Sequence, residues 1–190
     1  MISAILLSAG QSKRMRNENK LAKKINDKPL IVHSVENILS SPIDELIIVV
    51  GYQKEIIEKL IKKDEKIKFI YNEDFETGVA SSIKTGLDHI SEKAESFFIC
   101  LADMPNVNKH IYNLLIKSKN NNEIIIPTYK GKKGNPVLFS ISMKKKIMAV
   151  KGDTGAKKII EMNEKKVFNL ETNDLAVTLD FNTQESFFSK

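Results

Sequence analysis

Hydrophobic positions along the chain fall into two alternating kinds of run. Ile5-Leu6-Leu7, Leu46-Ile47-Ile48-Val49-Val50 and Phe97-Phe98-Ile99-Cys100-Leu101 are unbroken apolar stretches. Runs of that length and composition form strands covered on both faces, as in a parallel sheet. Between them apolar residues recur at helical spacing. Helices are expected from Pro29 to Leu39, from Gln53 to about Lys63, from Val79 or Ala80 to Ile90, from Lys109 to Lys117, at about Met143 to Val150, and from Gly155 to Met162. Pro29 suits a first helical turn, where its missing N–H is not needed, and Pro42 closes that helix. Further strands are expected around Ile67–Tyr71, at Glu123–Pro127, near Val167 and at Ala176–Leu179, while the Lys130–Gly134 turn leads into Asn135–Phe139. Strands alternating with helices predict one α/β domain over residues 1–190. It is a three-layer α/β/α fold around a mostly parallel sheet, with right-handed crossovers.

In such sheets ligands sit beyond the carboxyl ends of the strands. Three polar segments fall there in this reading. The first strand stops at Ser8-Ala9-Gly10 and runs into a loop carrying Lys13, Arg14, Arg16 and Lys20. Gly10 lets the backbone approach an anion, loop amides donate to phosphate oxygens and the cations neutralise what remains, a pattern suited to a polyphosphate. The loop is neither a Walker A sequence nor a three-glycine dinucleotide fingerprint, and a solvated basic loop is the competing reading. The second segment, Asn72 to Gly78, leads into Val79-Ala80-Ser81-Ser82, where amides at a helix start serve either a ligand or a plain capping turn. The third is Asp103, placed at a strand end to hold Mg²⁺ or to cap the following helix. Asp180 and Asn182 follow the last expected strand and offer a second metal ligand from another strand end, or a cap.

Composition narrows the field. Hydrophobic residues make up 42% and charged residues 28% of 190, the proportions of a globular protein. No apolar run approaches the roughly 20 residues that span a bilayer, and the start lacks a secretory pattern, so a cytoplasmic location is expected. The formal charge of +6 is spread along apparent helix faces beside glutamates rather than clustered, and Trp is absent. That distribution suits an anionic small molecule and argues against nucleic acid or membrane partners. The one cysteine, Cys100, lies within an apolar strand and reads as core. His33, His89 and His110 lie on expected helices without metal-ligand spacing and read as structural or surface residues.

The first loop, with Leu7, Ala9, Gly10, Arg14, Met15 and Lys20 in order, resembles the opening motif of the MobA-like nucleotidyltransferases, departing at Arg16, where that family usually has Gly. Leu101-Ala102-Asp103-Met104-Pro105 resembles the family's metal-binding turn, and Gly78-Val79-Ala80-Ser81-Ser82 its base- and ribose-contacting segment. Asp180-Phe181-Asn182-Thr183 resembles its closing motif, with Gln184 in place of Pro. Gly131 to Phe139 and Lys151 to Lys157 resemble acceptor motifs of the molybdenum cofactor cytidylyltransferase branch, with Lys157 in place of Arg. The resemblance implies a Rossmann-like nucleotidyltransferase fold and the following roles. Arg14, Lys20 and Asp103 are catalytic. Leu7, Ser8, Ala9, Gly10, Gly78 and Ser82 bind the nucleotide. Asp103 holds Mg²⁺ with Asn182, or with Asp180. Asn135, Pro136, Gly152 and Asp153 surround the acceptor. Ala9, where guanylyltransferases tend to have Gly, points to a narrowed base pocket and a pyrimidine.

The implied reaction is Mg²⁺-dependent transfer of CMP from CTP to the terminal phosphate of molybdopterin or its molybdenum form, releasing pyrophosphate. A molybdenum hydroxylase or its insertion chaperone is an implied partner. The alternatives are a cytidylyl-, uridylyl- or guanylyltransferase for another phosphorylated acceptor (a sugar or alcohol phosphate), and a non-catalytic protein that delivers finished cofactor.

Overall fold

The computed structural model describes residues 1–11, 19–149 and 155–181. In chain order these form β1 (Ile2–Leu7), the small hairpin β2 (Lys24–Ile25) and β3 (Lys28–Pro29), α1 (Leu30–Leu39), β4 (Glu45–Val50), α2 (Lys54–Leu60), β5 (Ile67–Tyr71) and α3 (Val79–His89). There follow β6 (Ser96–Leu101), α4 (Lys109–Lys117), β7 (Ile124–Tyr129), β8 (Lys132–Lys133), β9 (Val137–Ser140), α5 (Lys144–Met148), α6 (Gly155–Met162) and β10 (Val167–Glu171). The main sheet runs β10-β7-β9-β6-β1-β4-β5, with β8 added to β7. Pro29 ends the hairpin and stands just before α1 rather than in its first turn, because its extended backbone pairs with Lys24.

Strand periodicity divides the core in two. On one face Ala4 and Leu6 of β1, Leu46, Ile48 and Val50 of β4, and Phe98 and Cys100 of β6 pack with Leu30, Ile31, Val35 and Ile38 of α1 and Ile111 and Leu115 of α4. On the other, Ile5, Ile47, Val49, Phe97 and Ile99 meet Ile83 and Leu87 of α3, Ile147 of α5 and Ile159 of α6. This is the expected three-layer arrangement, and successive side chains pointing to opposite faces produce it. Helix α3 lies so close to β1 that a Cβ on Gly86 would sit 2.4 Å from Ile5 Cγ2.

Strand β9 runs against both its neighbours. Its reversal sets Val137 beside Ile99. The start of β9, and with it Gly134-Asn135-Pro136, therefore lies at the same sheet edge as the carboxyl ends of β1, β4 and β6. Residues 176–179, expected as a strand, instead continue a 3-10 turn over Leu175–Thr178, capped by Asp174, whose carboxylate accepts from Ala176 N at 2.9 Å. The edge place beside β7 is taken by β10, and Val177 is fully buried against Gly134. No helix among the described residues is long and apolar enough to cross a membrane.

Candidate active site

The turn after β1 is held by its own backbone. Ser8 donates to Val49 O from both N and Oγ, at 3.0 and 2.7 Å. Tyr52 N donates to Ala9 O, and Ala102 N to Leu7 O. Ser8 thus lines the cleft, but its hydroxyl is committed to β4. Ala9 is 3% exposed, and its methyl belongs to the apolar cluster of Ile47, Val49 and Ile83. It therefore shapes the pocket through its packing rather than by projecting into it. Gly10 differs: a Cβ there would meet nothing within 4 Å. Among the described residues no atom demands glycine at this position, which leaves room for a ligand to approach.

Lys20 opens a 3-10 turn over Lys20–Ala22, capped by Asn19 Oδ1 accepting from Leu21 N at 3.1 Å and anchored by buried Leu21. Its ammonium reaches Asp103, with Nζ to Oδ2 at 2.6 Å and both side chains 16% exposed. The turn bearing Asp103 is fixed from α1: Ser34 Oγ donates to Ala102 O at 3.0 Å and Asn37 Nδ2 to Pro105 O at 2.8 Å. Neither Ser34 nor Asn37 was singled out from sequence, since a polar residue on a helix face gives no hint of so distant a partner. Phe181 N donates to Asp103 O at 2.9 Å. That bond brings exposed Asp180 to the same turn. Arg14 and Asn182 lie outside the described residues. Among the described residues no group of three or more His, Cys, Asp or Glu could form an all-protein metal cage.

The loop after β5 makes the other wall. Asn72, 3% exposed, donates from Nδ2 to Ser81 Oγ and Ser82 Oγ at 2.9 and 3.0 Å, and its Oδ1 accepts from Asp74 N at 3.1 Å. Gly78 has φ 118° and ψ 179°, a conformation closed to other residues, and it launches α3. Phe75 sits against Gly51, where a Cβ would lie 2.7 Å from its ring. Gln11 Nε2 donates to Glu76 Oε1 at 2.7 Å, joining this loop to the first turn.

A cavity of about 410 Å³ is enclosed by Leu7, Ser8, Ala9, Gly10, Lys20, Asp103, Phe75, Glu76, Gly78 and Ser82 among others. The expected nucleotide residues and two of the three expected catalytic ones are thus brought together. Beside it lies a second cavity of about 430 Å³, sharing Leu7, Val79 and Leu101, otherwise mostly apolar, with Lys133, Asn135, Lys157 and Glu161 as its polar lining. Asn135 N donates to Val177 O at 2.8 Å. Pro136 is buried and does not line the cavity; it belongs to the loop that positions Asn135. Gly152 and Asp153 lie outside the described residues.

Cys100 is core, as expected: Tyr112 Oη donates to its Sγ at 3.7 Å, and burial pushes the thiol up to about 12. His33 Nε2 lies 2.9 Å from Ile25 O and His89 Nδ1 2.8 Å from Thr85 O.

Comparison with known proteins agrees with this geometry. The family model described as MobA-like NTP transferase domain matches residues 4–167. The chain belongs to this family. It is 27% identical over 152 residues to a protein of Methanosarcina acetivorans described as a probable molybdenum cofactor guanylyltransferase, a match covering 78% of this chain and 66% of that protein. This chain therefore spans just under two thirds of that relative's length. It is 24% identical over 188 residues to the molybdenum cofactor cytidylyltransferase of Escherichia coli, covering 99% of this chain and 94% of that one. In fold it is similar to Rv0371c of Mycobacterium tuberculosis H37Rv, with TM-score 0.88 and 21% identity over 98% of this chain and 95% of that one. A complex of that protein with manganese matches at TM-score 0.83 and 20% identity, covering 98% and 96%. The span matched by the MobA-like model contains every residue lining the two cavities, whereas Asp180 lies beyond it.

Proposed function

We propose that this protein is a metal-dependent nucleotidyltransferase that moves CMP from CTP to the terminal phosphate of a molybdopterin-type acceptor, releasing pyrophosphate. The observation that carries the reading is the Lys20–Asp103 pair inside a cleft of nucleotide size, with a second cavity adjoining it along Leu7, Val79 and Leu101. A donor and an acceptor can meet only where two such sites share a wall. The E. coli relative, matched over 99% of this chain, supports the cytidylyl form, and the Methanosarcina relative supports GTP as the competing donor.

The residues fit a divalent ion. Mg²⁺ is commonly held by one or two carboxylates and completed by water and substrate phosphates, not by a full protein cage. Asp103 supplies one carboxylate, whose Oδ1 takes no hydrogen bond among the described residues, and Asp180 stands at the same turn, with Asn182 following it. The manganese complex of the fold relative supports a divalent metal of this kind. Bound there, the ion would neutralise charge on the transferring phosphoryl group.

A phosphate nucleophile is already ionised, so no protein base is needed. The work left to the chain is positioning and charge. Lys20, with Arg14, would stabilise the departing pyrophosphate, amides of the Gly10 turn would cradle the triphosphate, and Asn135 and Lys157 would orient the acceptor. The test is pyrophosphate release with CTP, GTP, ATP or UTP and purified molybdopterin, with and without Mg²⁺ or Mn²⁺. Release with CTP and metal only in the presence of acceptor is the expected result. Binding of finished dinucleotide without pyrophosphate release would make the protein a cofactor carrier instead.

A further inference from the structure

The nucleotide cleft has two ends of different chemistry. Asp103 follows β6 and Lys20 pairs with it, whereas Phe75, Glu76 and Gly78 follow β5, on the far side of β1 in the sheet order. On the nucleotide-binding reading above, a triphosphate held at Lys20 and Asp103 directs its base toward the loop after β5. The polar chemistry there is unusual for a site that must attract an anion, because Glu76 brings a carboxylate into the cavity wall.

Two observations position that carboxylate. Gln11 Nε2 donates to Glu76 Oε1 at 2.7 Å, linking positions 65 residues apart. Gln11 directly follows Gly10, so the bond ties the phosphate-binding turn to the opposite wall. The neighbouring Phe75 is seated on Gly51, which has no room for a side chain of its own. Glu76 Oε2 takes no hydrogen bond among the described residues and stays available.

A carboxylate only accepts hydrogen bonds. It is matched by a base edge that offers an amine, such as the 4-amino group of cytosine or the amino and imino groups of guanine. Placed at the exocyclic position, it is mismatched with the 4-oxo group of uracil, where lone pairs would face lone pairs, and uracil's N3–H is then its only remaining donor on that edge. We propose that Glu76, held by Gln11, is a specificity-determining residue that accepts from the exocyclic amine of the base and excludes uracil nucleotides. Gln11 is its positioning partner, and its amide can turn to an acceptor on the same base edge.

The experiment compares dissociation constants of CTP, GTP, UTP and tripolyphosphate for the wild type, Glu76→Gln and Gln11→Ala, by calorimetry with Mg²⁺ present. The wild type should prefer CTP or GTP to UTP by about 10- to 100-fold, the range a site built to pair a polar edge achieves or exceeds. Glu76→Gln should reduce that ratio to within about threefold, chiefly by improving UTP, while tripolyphosphate binding stays unchanged. Gln11→Ala should shift it the same way by a smaller factor. A ratio unaltered in Glu76→Gln, with tripolyphosphate still bound, overturns this inference and leaves the nucleotide site standing. If neither tripolyphosphate nor any triphosphate binds the wild type, the nucleotide reading fails and this inference with it.

Discussion

Lys20 Nζ lies 2.6 Å from Asp103 Oδ2, although 83 residues separate them. Each belongs to a turn that the fold fixes independently, Lys20 by the Asn19 cap and buried Leu21, Asp103 by Ser34 and Asn37. Asp103→Asn keeps the shape of the turn and removes its charge. Pyrophosphate release should drop about 1,000-fold, roughly 4 kcal/mol of barrier. The melting temperature should fall by only a few degrees. Activity within tenfold of wild type would reassign Asp103 to a structural role.

On the proposed nucleotide-binding reading, Gly10 separates ligand binding from folding. Because a Cβ there meets no atom of the described residues within 4 Å, Gly10→Ala should melt within about 2 °C of wild type. Its affinity for CTP should nonetheless weaken about tenfold, as the methyl crowds the phosphates. Titration beside thermal melting reads both, and an unchanged affinity would remove Gly10 from the phosphate site.

Gly134 behaves in the opposite way. A Cβ there would lie 2.2 Å from Val177 O, a backbone atom that cannot swing aside. Gly134→Ala should cost about 1–3 kcal/mol and lower the melting temperature by about 2–4 °C per kcal/mol in a protein of this size. A variant as stable as wild type would show that the Val177 segment moves freely.

Glu45 gives the pH dependence. The residue is 4% exposed at the amino edge of the sheet. Burial alone would raise its pKa, but the Ser3 hydroxyl, the Ser91 N–H and the Lys68 ammonium outweigh that and hold it below its ordinary value of 4.5. A depressed folded-state pKa stabilises the protein at pH values above the unfolded pKa, and that stability fades as pH falls through the folded one. Denaturant titrations should therefore show wild type losing stability below about pH 4.5. Glu45→Gln, weaker by about 1–3 kcal/mol at pH 7 through its lost charge-assisted bonds, should lose less over the same acid range. Parallel curves for the two proteins would exclude Glu45 as the source.

What was legible in the sequence was whatever rests on local periodicity. The run Leu46–Val50 and the spacing of Leu30, Ile31, Val35 and Ile38 each have one face or both to bury, and they fold as expected. The place of Asp103 in the cleft lining was legible because it follows an apolar strand directly, though its role was not. Strand direction was not: nothing in Val137–Ser140 shows that it runs against its neighbours, yet that reversal carries Asn135 to the edge where β1, β4 and β6 end. The apolar segment Ala176–Leu179 looked like a strand because its residues favour one, but burial of Val177 against Gly134 won over local preference. Ser8 looked like a ligand donor, and only its partner, Val49 O, shows where its hydroxyl goes. The Gln11–Glu76 bond joins two exposed loops and has no periodic signature at all.

The short stretch after β10 touches both halves of the cleft: Val177 O receives Asn135 N, and Phe181 N reaches Asp103 O. It works as a splint laid across two chambers. A clipped or loosened splint would slacken the Asn135 loop and the aspartate turn together, so filling either chamber should stiffen the other.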